Sequence, residues 1–111
     1  MKDSDTNLIE MSANSVLSLL KNNKVSPIEL LDALEKRISD IDSKVNSLPT
    51  LCFDRARSDA NMLMRKPISE RGLLAGMPIA IKDLDPVKGV RTTWGSPIYK
   101  DFIPKRSDCL V

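Results

Sequence analysis

The sequence lacks histidine, and it has only two cysteines and few aromatic residues among its 111 positions. Without histidine, Ser-His-Asp and Cys-His catalysis are excluded, and so are the usual Cys/His zinc sets. Cys52 and Cys109 lie far apart in a chain without secretion signals, so nothing favours a disulfide. We therefore expect no metal and no cofactor, and any catalytic base must be a lysine or a carboxylate.

Long hydrophobic runs and an excess of one charge are also missing. The longest nearly uncharged run, Leu73–Ile81, is far shorter than the roughly 20 residues of a membrane helix. The net charge is +2, from 17 basic and 15 acidic residues, so nucleic acid and anionic membrane are not expected partners. The start, M-K-D-S-D, has acids where a signal peptide is basic and then apolar. We expect a cytoplasmic protein.

Helix signals dominate the first part of the chain, after a polar stretch over residues 1–8 that we interpret as a loose tail. The pattern Ser26-Pro27-Ile28-Glu29 is a capping box with proline at the first helical position. It is followed by an apolar stripe at spacings of three and four, formed by Leu31, Leu34, Ile38, Ile41 and Val45. Three helices are predicted: one capped by Ser12 and ending at Asn22–Asn23, one from Pro27 to Ser43, and one from Asp54 to Lys66.

The composition changes at Pro67. All four glycines and five of the seven prolines lie at or beyond this residue. We predict a single incomplete domain over residues 1–111, with a helical layer at 1–66 and a strand and loop region at 67–111. Met77–Ile81 is apolar apart from its proline, which predicts a short strand covered on both faces. Ser107-Asp108 predicts the start of an apolar helix.

Lys82 leaves the predicted strand and enters a loop that contains glycine. Catalytic and ligand-binding side chains of α/β enzymes often lie at such a position. From the residues alone, a lysine that points into water is the alternative, since lysine is rarely buried unless it is paired. The same reasoning favours Asp83 as a turn cap, Thr92 and Thr93 as residues of a strand edge, Trp94 as a core anchor, and Gly95 as a position of positive φ or close backbone approach.

The order of G-M-P-I-A-I-K-D-L, then V-K-G-V-R-T-T-W-G-S, then S-D before an apolar pair resembles the first block of the amidase signature family. The resemblance is densest from Leu74 to Val111. It implies an α/β fold, in which an N-terminal helical layer precedes the first strand or strands of an α/β/α core, truncated here. It also implies a small amide substrate and hydrolysis by a Ser–cis-Ser–Lys triad with Lys82 as the catalytic lysine.

In that mechanism a neutral lysine amine accepts a proton from the cis-serine hydroxyl. A free lysine has a pKa near 10.4, and burial can lower such a value by several units. We hypothesise that Lys82 becomes a base only when the rest of the core covers it. The family's two serines lie downstream, in Gly- and Ser-rich segments that nothing here matches. Cys109 stands where family members commonly have a small, alanine-like residue. The isolated chain is therefore predicted to be inactive.

Two alternatives stay open. The first is the amidotransferase subunit of the same family, which releases ammonia from glutamine for tRNA-linked synthesis; the K-D-L and T-T-W-G-S motifs favour a general amidase. The second is a non-catalytic module that binds a partner or forms a homodimer through exposed apolar surface.

Overall fold

The structure is a computed structural model that describes residues 8–111. The chain divides into two compact units, with the boundary between Pro78 and Ile79. The tail predicted over residues 1–8 lies outside the described residues except for Leu8, which belongs to a helical turn at residues 8–10. The domain organisation that the sequence predicts stays a prediction.

Helix α1 spans Ala13–Lys21 in the first unit. The Ser12 hydroxyl accepts a hydrogen bond from the Ser15 backbone N–H at 3.2 Å, which satisfies one of the free donors at the helix start. Asn22 is the C-cap that follows the last helical residue, Lys21, so the helix predicted between Ser12 and Asn22–Asn23 is confirmed. Its buried residues form the core of the unit together with one residue of the next helix: Val16, Leu20 and Leu30.

Helix α2 spans Pro27–Val45 and begins with the predicted capping box. The Glu29 N–H donates to the Ser26 hydroxyl at 3.2 Å, and the Ser26 N–H donates to the Glu29 carboxylate at 2.8 Å. The helix is therefore confirmed, although it continues to Val45 rather than Ser43. The buried face consists of Leu30, Leu31 and Ala33, with Pro27 at its start. Val45 is 62% exposed, so the prediction that the apolar stripe continues to Val45 is wrong.

Helix α3 spans Phe53–Met64 and packs against α2, with Ala60 buried. The Arg57 guanidinium donates to the carboxylates of Asp32 and Glu35 on α2, at 2.6 and 2.5 Å. Both carboxylates are exposed and the Arg57 side chain is partly exposed, so these ion pairs link α3 to α2 but add little stability. The third predicted helix is confirmed within a residue or two at each end. None of the described helices has the length and apolar character that crossing a membrane requires.

The predicted strand at Met77–Ile81 is wrong for this structure. Residues 77–82 form no regular element, and Ile79 is 72% exposed. Within residues 8–111 the sole β-pairing is an isolated antiparallel bridge between Val87 and Val90. A strand requires the backbone of a neighbouring strand for its hydrogen bonds, and the described residues provide none for this segment. The helical part of the predicted α/β fold is present, and a sheet core is not formed here.

The predicted helix start at Ser107 is a single turn instead. The Asp108 carboxylate accepts from the Leu110 N–H at 3.1 Å, and the Val111 N–H donates to the Asp108 carbonyl at 3.1 Å. The Ser107 hydroxyl accepts from the Lys88 N–H at 3.0 Å, so it does not cap a helix. One turn of helix is too short to be stable alone.

Candidate active site

The chain after Lys82 folds back on itself at Lys88-Gly89. The Val90 N–H donates to the Val87 carbonyl at 3.0 Å, and Gly89 has φ 76° at the third turn position, where a type II turn requires positive φ. Antiparallel pairing of Val87 with Val90 brings two residues that lie equally far from the turn opposite each other, namely Asp83 and Trp94.

A second tight turn follows at residues 93–96. The Ser96 N–H donates to the Thr93 carbonyl at 2.9 Å, and both central residues have positive φ, 50° for Trp94 and 67° for Gly95. Two positive φ values define a type I′ turn. The prediction for Gly95 is confirmed. A left-handed conformation is unusual for a bulky residue such as Trp94, so this turn must be held by its surroundings.

Four hydrogen bonds join the residues that follow Lys82 to this second turn. The Asp83 carboxylate accepts from the Thr93 N–H at 2.8 Å and from the Thr93 hydroxyl. The Asp83 carbonyl accepts from the Trp94 N–H at 3.0 Å, and the indole N–H of Trp94 donates to the Leu84 carbonyl at 2.9 Å. We call Asp83, Leu84, Thr93 and Trp94, with these four bonds, the 83–94 clamp.

Asp83 is the ionisable centre of the clamp. Its pKa lies below the ordinary carboxyl value, first because the Thr93 hydroxyl donates to the carboxylate and then because the Thr93 N–H does so; the Arg91 cation adds to the effect, and partial burial opposes it. The interpretation of Asp83 as a cap of its own turn is wrong, because its carboxylate binds Thr93. The local turn is closed by the backbone alone, through the Asp85 N–H and the Lys82 carbonyl at 2.9 Å.

Lys82 directly precedes the clamp. The Lys82 carbonyl accepts the hydrogen bond from the Asp85 N–H, while the Lys82 side chain is exposed. The cover that we hypothesise for a lysine base is not provided by residues 8–111. The catalytic role of Lys82 therefore stays a prediction that concerns a more complete fold.

The aromatic residues of the second unit cluster around Trp94. Its ring stacks on Phe102, with centroids 5.2 Å apart, and meets Tyr99 edge-on at 5.0 Å. Trp94 remains 37% exposed, so it anchors this small cluster without being a core residue. Thr92 is 2% exposed, its N–H donates to the Phe102 carbonyl at 3.0 Å and its hydroxyl donates to the Val90 carbonyl at 3.3 Å, which gives it a packing role.

The pairing of Asp83 with Thr93 is a feature that the sequence reasoning missed. The signal that could have found it is V-K-G-V, a two-residue loop containing glycine between two valines. Such a pattern predicts a hairpin, and its register places Asp83 opposite Trp94 and next to Thr93.

Comparison with known proteins adds the family context. The sequence model of the family described as Amidase matches residues 29–111, which is more than half of the chain. A glutamyl-tRNA(Gln) amidotransferase subunit from Shouchella clausii is 42% identical over 97 residues, which cover 87% of this chain and 20% of that protein. The corresponding subunit from Geobacter sulfurreducens is 38% identical over 106 residues, 94% of this chain and 22% of that protein. The chain thus spans about a fifth of the length of these curated relatives. No solved structure matches it.

Proposed function

Because this chain belongs to the amidase family, we propose that it is the lysine-bearing segment of an enzyme that hydrolyses a carbon–nitrogen amide bond. The observation that carries the proposal is the position of Lys82. It lies inside the range matched by the family model and directly before the hydrogen-bonded 83–94 clamp. The role assigned to Lys82 is that of the general base in a Ser–cis-Ser–Lys triad.

The proposed proton path begins at the Lys82 amine. In its neutral form the amine accepts a proton from the cis-serine hydroxyl, and that serine in turn activates the nucleophilic serine, which attacks the amide carbonyl. Donors to the developing oxyanion complete the requirements of acyl transfer. The chain has the base, and no segment of it matches the Gly- and Ser-rich regions of the two serines. We accordingly propose that the 111-residue chain alone is inactive and that the complete protein, continued through the length of its relatives, is the enzyme.

A second candidate function is amidotransfer. It is favoured by the similarity of the chain to subunits of glutamyl-tRNA(Gln) amidotransferases. Ammonia release from L-glutamine, compared with cleavage of a simple nitroanilide, separates this candidate from a general amidase. Cytoplasmic location and self-association stay predictions of the sequence.

The test of the proposed function is turnover of the complete protein after removal of the Lys82 amine. We expect Lys82→Ala to lower kcat roughly 10²- to 10⁴-fold, the range of a general base, with either probe substrate. Lys105→Ala is the matched control, because Lys105 is an exposed lysine of the same unit and should leave kcat within about twofold. A Lys82→Ala protein with unchanged turnover would reject the proposed function.

A further inference from the structure

Within the 83–94 clamp, Asp83 and Thr93 are the only two residues whose side chains are hydrogen-bonded to each other. We propose that this pair positions Lys82 for proton transfer in the complete enzyme. The inference rests on the proposed function, since the pair has this role only if Lys82 takes part in the reaction. Neither residue is proposed to touch the substrate; both act through Lys82.

Asp83 follows Lys82, so the peptide that joins them fixes one of the two backbone connections of Lys82 and thereby restricts the direction in which its side chain leaves the backbone. Asp83 accepts three hydrogen bonds from the opposite side of the hairpin: two from Thr93 to its carboxylate and one from the Trp94 N–H to its carbonyl. The Lys82 carbonyl is fixed as well, by the Asp85 N–H. The backbone is thus held on the C-terminal side of Lys82, whereas residues 77–82 form no regular element.

The Thr93 hydroxyl takes part in two hydrogen bonds. It donates to the Asp83 carboxylate and accepts from the Gly95 N–H at 3.2 Å. One oxygen therefore connects the segment after Lys82 with the type I′ turn. The neighbouring Thr92 differs, because its hydroxyl donates to the Val90 carbonyl and does not contact Asp83.

The turn at residues 93–96 is strained at Trp94. Trp94 keeps a φ of 50°, and such conformations persist where the surrounding contacts over-determine them. Its two N–H groups donate to the carbonyls of Asp83 and Leu84, and its ring stacks on Phe102. The turn is therefore a defined support for Asp83. Catalysis needs such support, because a displacement of about 1 Å in a reacting group can reduce the rate roughly 10²-fold.

The Asp83 carboxylate lies next in sequence to Lys82, yet the ion pairs formed by residues 8–111 include none between these two residues. Its acceptors are engaged by the Thr93 N–H and hydroxyl. An amine that is bound in a salt bridge cannot accept a proton, so the clamp keeps a carboxylate in place without using the Lys82 amine as its partner.

The test uses steady-state kinetics of the complete protein with L-glutamine and a nitroanilide as probes. We expect Thr93→Val and Asp83→Asn each to lower kcat about 10- to 100-fold and to leave KM within about threefold. Thr93→Ser keeps the hydroxyl and should retain at least about half of kcat. Ser107→Ala is the matched control, because the Ser107 hydroxyl also accepts a hydrogen bond from a backbone N–H of the same unit, that of Lys88. This substitution should leave kcat within about twofold.

The outcomes separate the two proposals. If Lys82→Ala abolishes turnover while Thr93→Val and Asp83→Asn keep kcat, the positioning role is rejected and the proposed function stands. A rise in KM without a fall in kcat, or a loss in Thr93→Ser as large as in Thr93→Val, also rejects positioning. Circular dichroism accompanies each variant; if Thr93→Val does not fold, Asp83→Asn, which keeps the size of the side chain, decides the result.

Discussion

At the scale of the residue, the Asp83 carboxylate makes the clamp sensitive to acid. Because the Thr93 hydroxyl and N–H lower its pKa below the ordinary value of 3.8, ionised Asp83 stabilises the folded form at neutral pH. That contribution is present above the unfolded pKa and is lost as the pH falls through the lower, folded pKa. We expect the clamp to stay closed at pH 5 and to open below about pH 3.8.

Fluorescence of the 111-residue chain measures this opening, because Trp94 is its only tryptophan and donates to Leu84 within the clamp. A titration from pH 7 to pH 2 should show a change in Trp94 emission with a midpoint below 3.8. The Asp83→Asn chain should lack that transition. A midpoint above the ordinary carboxyl value would contradict the arrangement of donors around Asp83.

Part of the candidate site can be predicted from single residues, and part cannot. Lys82 stands out because its place after an apolar run, in the motif K-D-L, matches a family block, and the positive φ of Gly95 follows from glycine's conformational freedom. The positive φ of Trp94 has no local signal, since it depends on hydrogen bonds to residues ten or more positions away in the sequence, at Leu84 and Asp83. The partner of the Asp83 carboxylate depends on the hairpin register in the same way.

At the scale of the element, the turn before residue 77 is fitted closely onto the helices of the first unit. Gly76 has φ 88°, and a Cβ placed on it would lie 2.8 Å from Cγ of Pro27 and 3.4 Å from Cδ2 of Leu20. Gly76→Ala should therefore lower the free energy of unfolding by about 2–3 kcal/mol, from backbone strain and the contact with the first residue of α2.

Urea unfolding followed by circular dichroism checks this value. Gly72→Ala is the matched control, because a Cβ at Gly72 would meet nothing within 4 Å; it should change the free energy of unfolding by less than about 0.5 kcal/mol. Equal effects of the two substitutions would show that the turn does not pack on Pro27 as described.

The helices can be predicted because their signals are local. A cap, a proline at the first position and a glutamate three residues after the cap act within one turn, and all of them are present at the start of α2. The apolar run Met77–Ile81 has the composition of a strand, but a strand forms only when another backbone pairs with it. Composition cannot reveal that residues 8–111 lack such a partner for it.

At the scale of the whole molecule, many large apolar side chains are exposed. In the second unit Ile98 is 86% and Leu110 is 88% exposed, and in the first unit Leu73 is 79% exposed. The chain spans about a fifth of the length of this curated relative, and exposed apolar surface of this kind favours association between molecules. We expect the isolated 111-residue chain to bind a hydrophobic dye and to self-associate as its concentration rises.

Dye fluorescence and sedimentation at increasing protein concentration measure these two properties. Ile98→Glu combined with Leu110→Glu should reduce both, since it places charge on the most exposed apolar positions of the second unit. A chain that stays monomeric and binds no dye at any concentration would contradict this expectation.

Under the proposed function, Lys82 acts as a base and not merely as a positive charge. The most direct measurement is kcat of the complete protein with Lys82→Arg, assayed beside Lys82→Ala. A guanidinium keeps the positive charge but remains protonated near neutral pH, so it cannot accept the proton that the proposed mechanism takes from a serine. We predict that Lys82→Arg is as inactive as Lys82→Ala, roughly 10²- to 10⁴-fold below the unaltered protein. A Lys82→Arg protein that retains most of the activity would contradict the account.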